Sequence, residues 1–120
     1  SGISKETELK LVGVARASLE ELLLDYEDFL RQKGHILWGK EHPEAQKIRK
    51  LAYLENRSYA TYKTYIESSN PEIPANVIVC LIHQANYLLD RQIRVLEQEF
   101  LKQGGFSDRL FKARMRERGK

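Results

Sequence analysis

An all-α fold is what this sequence predicts: an up-and-down bundle of three long helices followed by a short C-terminal one. Three observations lead there. With 7 glycines and 3 prolines in 120 residues, the chain can supply few turns. Apolar residues recur at alternating steps of three and four over long stretches, as on one face of a helix. Each such stretch is bounded by residues suited to starting or stopping a helix. A hydrophobic share of 42% against 31% charged excludes a disordered chain and leaves helices with heavily charged outer faces.

The first helix is expected over residues 4–33. Ser4 offers an N-cap oxygen, Glu6 and Glu8 occupy the first turn where the helix dipole favours anions, and Gly34 stops it. Val12, Ala15, Leu19, Leu22, Tyr26 and Phe29 form its stripe, with Leu11, Leu23 and Leu30 widening it towards more than one partner helix. Residues 35–42 are a connector containing Trp38 and Gly39. Pro43 then opens a second helix, because its missing N–H would be unpaired at that position anyway.

That helix is expected to reach Glu67 on an apolar set of Ile48, Leu51, Ala52, Tyr59, Tyr62 and Ile66, interrupted by Glu55. Ser68-Ser69-Asn70-Pro71 ends it, since the residue before proline is pushed out of helical geometry. Pro74 opens the third helix, which runs to about Gln103, where Gly104-Gly105 breaks it. Ile78, Ile82, Ala85, Leu89, Ile93, Leu96 and Phe100 form one stripe on this helix, and Leu81, Leu88 and Val95 a second. It should therefore be buried on two sides. Ser107 caps a short fourth helix ending near Arg118, which divides the chain into a bundle over 1–106 and a basic helix or tail over 107–120. The apolar stripes exceed what three helices can hide, so another subunit or a further helix is expected to cover the rest.

Cys80, the single cysteine, excludes an internal disulfide framework, cannot by itself form a zinc site, and reads as a small buried hydrophobe in a reducing compartment. No run approaches the ~18 apolar residues of a membrane span, and no signal peptide is recognisable, so the expectation is a cytoplasmic protein without a membrane partner. Ser1-Gly2 without an initiator Met reads as a cleavage scar or the cut end of a longer protein.

His35, His42 and His83 have no histidine or carboxylate partner at the i, i+3 or i+4 spacing of a helical metal site. With no activated nucleophile or cofactor loop either, the expectation is a non-enzyme with no cofactor and no metal. His83 with Gln84 interrupts an apolar run, as a hydrogen-bonded core or interface pair would, or as a polar contact for a ligand. Glu20, Glu21, Asp25, Glu27 and Asp28 read as a solvated face, or alternatively as a docking surface for basic helices. Tyr53, Tyr59, Tyr62 and Tyr65 interleave with Lys47, Lys50, Arg57 and Lys63. These tyrosines either fill bundle grooves or stack on unpaired bases while the cations track phosphates.

The formal net charge is +3, unevenly distributed. Residues 109–120 hold six basic side chains and one acidic, Glu117, for +5, so the other 108 residues sum to −2. On a helix Arg109, Lys112 and Arg116 share one side, and Arg114 and Arg118 another. A frayed, solvated terminus is one reading; binding to nucleic acid, an anionic membrane or an acidic protein groove is the other. Nucleic acid is favoured over membrane because the apolar side, Leu110, Phe111 and Met115, is short. The candidate nucleic-acid contacts are Arg109, Lys112, Arg114, Arg116 and Arg118, with Lys47, Lys50 and Arg57 secondary.

The run ARASLEELLLDYEDFLR over 15–31 resembles the identifying helix of the bacterial four-helix-bundle family that includes ribosomal RNA intervening-sequence proteins and the accessory variability determinant of diversity-generating retroelements. SKETELKL over 4–11, LIHQANYLLDRQI over 81–93 and EQEFLKQGG over 97–105 are similar to its four-helix-bundle suffix subgroup. The resemblance implies an up-and-down bundle, a ring-like homo-oligomer such as a pentamer, and a positive surface suited to RNA or DNA. A partner protein remains the alternative. Two departures stand out: Ala17 where the family usually has glycine, and the expected absence of the family's first helix from this chain.

Overall fold

The structure, a computed structural model, describes residues 2–118, with the side chains of 104–113 outside the described set. It consists of α1 (Lys5–Gln32), α2 (Pro43–Leu51), α3 (Tyr59–Ile66) and α4 (Glu72–Arg118), with no strand among the described residues. The all-helical class is as expected. The division into helices differs from the expectation at two places.

α1 starts and stops where its punctuation says. Ser4 Oγ accepts the Thr7 N–H at 3.1 Å, satisfying one of the orphan donors of the first turn. At the other end Gly34 adopts φ +71°, and the His35 N–H donates to Leu30 C=O (2.8 Å) while the Gly34 N–H donates to Arg31 C=O (3.2 Å). That pair of bonds is the Schellman arrangement, which needs a left-handed residue and so favours glycine. α2 begins on Pro43, and the preceding His42 supplies the cap: its Nδ1 accepts the Glu44 N–H at 3.1 Å.

The single helix expected over 43–67 is two helices, α2 and α3, separated by residues 52–58. Its apolar stripe lapses at Glu55, and Asn56 and Ser58 prefer local side-chain hydrogen bonds to helix. Ser58 takes an extended conformation as the α3 N-cap, its N–H donating to Thr61 Oγ1 at 3.0 Å. The Arg57 guanidinium donates to Ala52 C=O and so occupies a carbonyl at the α2 C-terminus.

The second correction runs the other way. The expected break at Gly104-Gly105 and the separate helix from Ser107 are absent, and α4 is one helix of 47 residues. Two glycines cost a helix roughly 1 kcal/mol each relative to alanine, whereas only proline removes a backbone donor. Neighbours of good helix propensity such as Leu101, Lys102 and Arg114 offset that cost. α4 also begins two residues before Pro74, with Asn70 Oδ1 accepting the Glu72 N–H at 3.1 Å.

The chain divides into two compact units, one of Ala17–Leu88 and the other of Ser1–Arg16 with Leu89–Lys120. The first holds two apolar clusters on either side of the start of α4. Leu23, Leu30, Ala75, Val79 and Ile82 make one, with Leu19, Tyr26 and Phe29 packed against it. Trp38, Ala45, Ile48, Val77 and Cys80 make the other, flanked by Leu51, Tyr62, Tyr65 and Ile66. Each large aliphatic side chain buried here contributes about 1.5–3 kcal/mol gross. The two-sided burial expected of this helix is found up to Ile82, while Leu88 and Val95 of the second stripe are exposed.

In the other unit α1 and α4 run antiparallel, since Lys5 Nζ stands 3.0 Å from Glu99 Oε2 and Arg16 Nε 2.8 Å from Asp90 Oδ1. Leu96 is its one buried apolar residue among those described. Leu11, Val14, Val95 and Leu101 lie exposed on it.

Candidate nucleic-acid interface

The candidate cations fall into two groups, one in each unit. Arg114, Arg116 and Arg118 are exposed near the end of α4. Cations there also complement the negative end of the helix dipole, a local reason for basic residues that requires no ligand. Arg109 and Lys112 fall within the α4 span, but their side chains lie outside the described residues.

In the Ala17–Leu88 unit, Lys47 and Lys50 are exposed one turn apart on α2. Lys47 Nζ pairs with Glu44 Oε1 at 3.1 Å, an exposed contact that a phosphate could displace at little cost. Arg57 is already engaged on Ala52 C=O, so its first role is to hold the α2–α3 loop. Between Lys47 and Arg57 four basic residues stand against Glu55, a local charge of +3.

The four tyrosines separate by burial. Tyr62 and Tyr65 are half-buried against the cluster around Trp38, as groove-filling side chains. The Tyr59 hydroxyl donates to Glu67 Oε1 at 3.0 Å; that hydrogen bond, with some burial, holds its pKa above the ordinary phenol value. Tyr53 alone of the four stands clear, 87% exposed in the α2–α3 loop.

The three histidines lie in different settings. His42 caps α2 and stacks on Trp38, with ring centroids 5.2 Å apart and planes within 15°. His35 Nδ1 lies 3.6 Å from Glu72 Oε1. Of the core and interface alternatives for the His83–Gln84 pair, the core one fails for His83, which is exposed while Gln84 is half-buried. Position 83 lies about a quarter-turn from Ile82, whose side chain takes the core direction. Cys80 is buried as expected; burial pushes its thiol pKa up, with the nearby Arg49 guanidinium acting against it.

Asn76 is the functional-looking residue that sequence reasoning overlooked. It is 1% exposed, and its amide holds the 35–42 connector onto α4. Oδ1 accepts the Trp38 N–H at 2.7 Å, while Nδ2 donates to Ile36 C=O and Glu72 C=O, both at 2.8 Å. Glu72 Oε1 accepts the Ile36 N–H at 2.7 Å beside it. The signal was an asparagine inside the apolar run Ala75–Cys80, where a buried amide must find partners. Its bonds are all to backbone of its own chain, which makes it a structural clamp.

A shallow apolar depression of about 300 Å³ is lined by Tyr26, Phe29, Ile66, Pro74 and Ile78, among others. No three His, Cys, Asp or Glu side chains among the described residues converge as metal ligands would. No described helix is long and apolar enough to cross a membrane. Comparison with protein-family profiles, with curated proteins and with solved structures returned no match.

Proposed function

We propose that this chain is a non-enzymatic, homo-oligomeric helical bundle that binds RNA or DNA through basic side chains. Arg109, Lys112, Arg114, Arg116 and Arg118 are the chief contacts, with Lys47, Lys50 and Arg57 secondary. The observation that carries the reading is the concentration of charge at the end of α4: +5 over residues 109–120, with Arg114, Arg116 and Arg118 exposed to solvent. Such a cationic rod attracts any polyphosphate and gains the entropy of released counterions. The resemblance to the four-helix-bundle family supports the same reading and is the source of the pentamer as an expected assembly.

Titration of a labelled oligonucleotide into the full chain tests this. Five phosphate contacts should weaken binding on the order of 10²- to 10³-fold between about 50 and 200 mM salt. Deleting residues 109–120 should remove most of the affinity. Absence of binding at about 50 mM salt, or affinity unchanged by the deletion, would contradict the proposal.

A second reading, a protein-interaction or scaffolding module, is favoured by one specific observation. Leu11, Val14, Val95 and Leu101 expose apolar surface on the unit with the least buried core. A single co-purifying protein that survives nuclease treatment would select this reading over the first.

A further inference from the structure

We propose that the α2–α3 loop is a stacking platform for an unpaired nucleotide base, with Tyr53 as the ring and Lys47 and Lys50 as its phosphate contacts. The ligand class this implies is single-stranded nucleic acid; the inference rests on the nucleic-acid reading above and deepens it.

Tyr53 stands out first by what it does not do. Tyr62 and Tyr65 pack on the core, and Tyr59 is tied to Glu67. Tyr53 remains 87% exposed, the most exposed of the large apolar side chains described. An aromatic ring left in water forgoes a large burial gain, yet this one extends from a loop whose backbone is well braced. The Tyr53 N–H donates to Lys50 C=O at 3.2 Å, and the Leu54 N–H donates to Leu51 C=O at 3.1 Å. The Arg57 guanidinium closes the loop on Ala52 C=O, adjacent to Tyr53 in the chain. These bonds hold the backbone beneath the ring, while the ring stays 87% exposed.

Cations precede this ring at helical spacing along the chain. The turn that ends α2 sets Tyr53 one turn beyond Lys50, which itself lies one turn beyond Lys47. Both lysines are exposed, and the segment from Lys47 to Arg57 carries +3. An aromatic face near spaced cations along the chain is the arrangement by which single strands are held without sequence readout. A duplex fits it less well, because its bases already stack on one another and opening a step costs a few kcal/mol.

The test is fluorescence anisotropy on the full chain at about 50 mM salt, with a labelled 20-nucleotide uridine strand and a mixed-sequence duplex of the same length as probes. Tyr53→Ala should weaken binding of the strand about 5- to 100-fold and leave duplex binding within about 2-fold. Tyr53→Phe and Tyr53→Trp keep a ring and should retain the affinity for the strand. Lys50→Ala should weaken both probes alike and lower the salt slope by about one. Unchanged melting of Tyr53→Ala, expected for so exposed a side chain, shows that the fold is intact. If the wild-type chain binds the strand and Tyr53→Ala binds it equally well, stacking is overturned while the general nucleic-acid reading stands. If the wild-type chain binds neither probe, both are overturned.

Discussion

The two compact units are built from the same two long helices, yet they are held together differently. In Ala17–Leu88, α4 shares one apolar cluster with α1 and a second with α2, α3 and the connector, and polar groups of the connector are matched by Asn76 and Glu72. In Ser1–Arg16 with Leu89–Lys120, ion pairs at partly exposed positions accompany Leu96, the one buried apolar residue among those described, and the half-buried Leu9, Val12, Leu89 and Ile93. Apolar burial contributes several kcal/mol per cluster, and a solvated ion pair contributes below about 1 kcal/mol. A helix pair is therefore a stable part of one unit and a marginal one in the other. The stable unit supplies rigidity, and the marginal one carries the exposed Arg114, Arg116 and Arg118 together with exposed Leu11, Val14, Val95 and Leu101.

The sharpest test of this difference is the same substitution made in both places. Leu30 is 0% exposed and Leu96 is 5% exposed, so their lost transfer energies are similar. Leu30→Ala should cost about 4–5 kcal/mol, because the surrounding cluster cannot collapse into the cavity. Leu96→Ala should cost no more than about 2 kcal/mol in global stability, because a thin helix pair can relax or open locally. Urea unfolding of the two variants measures both, and equal losses would remove the distinction between the units.

Asn76→Ala should come next, at about 2–4 kcal/mol. It leaves the buried Trp38 N–H without an acceptor and removes the donor from the part-buried bond to Ile36 C=O. Loss of Trp38 near-ultraviolet circular dichroism before global unfolding would show that the connector, and not α4, is what loosens. The smallest effect is expected for Arg16→Ala. It breaks the contact with Asp90, an ion pair whose two side chains are 28% and 45% exposed. Its cost should be about 0.2–1 kcal/mol and should vanish at high salt, which chemical denaturation at two urea-compatible salt concentrations can resolve.

These contrasts also explain what could be read in the sequence. Helix ends were legible where one residue has one geometric use: Ser4, Gly34 and Pro43 all act as their chemistry suggests. Cys80 and the two-sided burial of early α4 followed from apolar density. The seam of α1 was less legible. The observed inward line runs through Val12, Arg16, Leu19, Leu23, Tyr26 and Leu30, while Ala15 and Leu22 of the expected stripe are exposed. An arginine on that line, answered by Asp90, hid its 3.6-residue period behind a smoother run of apolar residues.

The break between α2 and α3 contains neither glycine nor proline, so its sign was only the lapse at Glu55 and the cap at Ser58. Conversely, the glycine pair at 104–105 reads as a stop because glycine is usually one, though its cost in a helix is modest. The role of Asn76 depends on a loop 38 residues earlier in the chain, a distance no local pattern spans. For the candidate site, the cations and tyrosines were legible as a set. Their sorting into Tyr53, standing free, and Tyr62 and Tyr65, packed, required the fold.

The claim that α4 is anchored in one unit and loosely held in the other is tested most directly by amide hydrogen exchange along this single helix. Amides from Asn76 to Asn86 should be protected near the level of global unfolding. Those beyond Leu96 should exchange at least 10²-fold faster in the free chain and slow when an oligonucleotide is added. Uniform protection from Asn76 to Arg118 in the free chain at dilution would contradict the account.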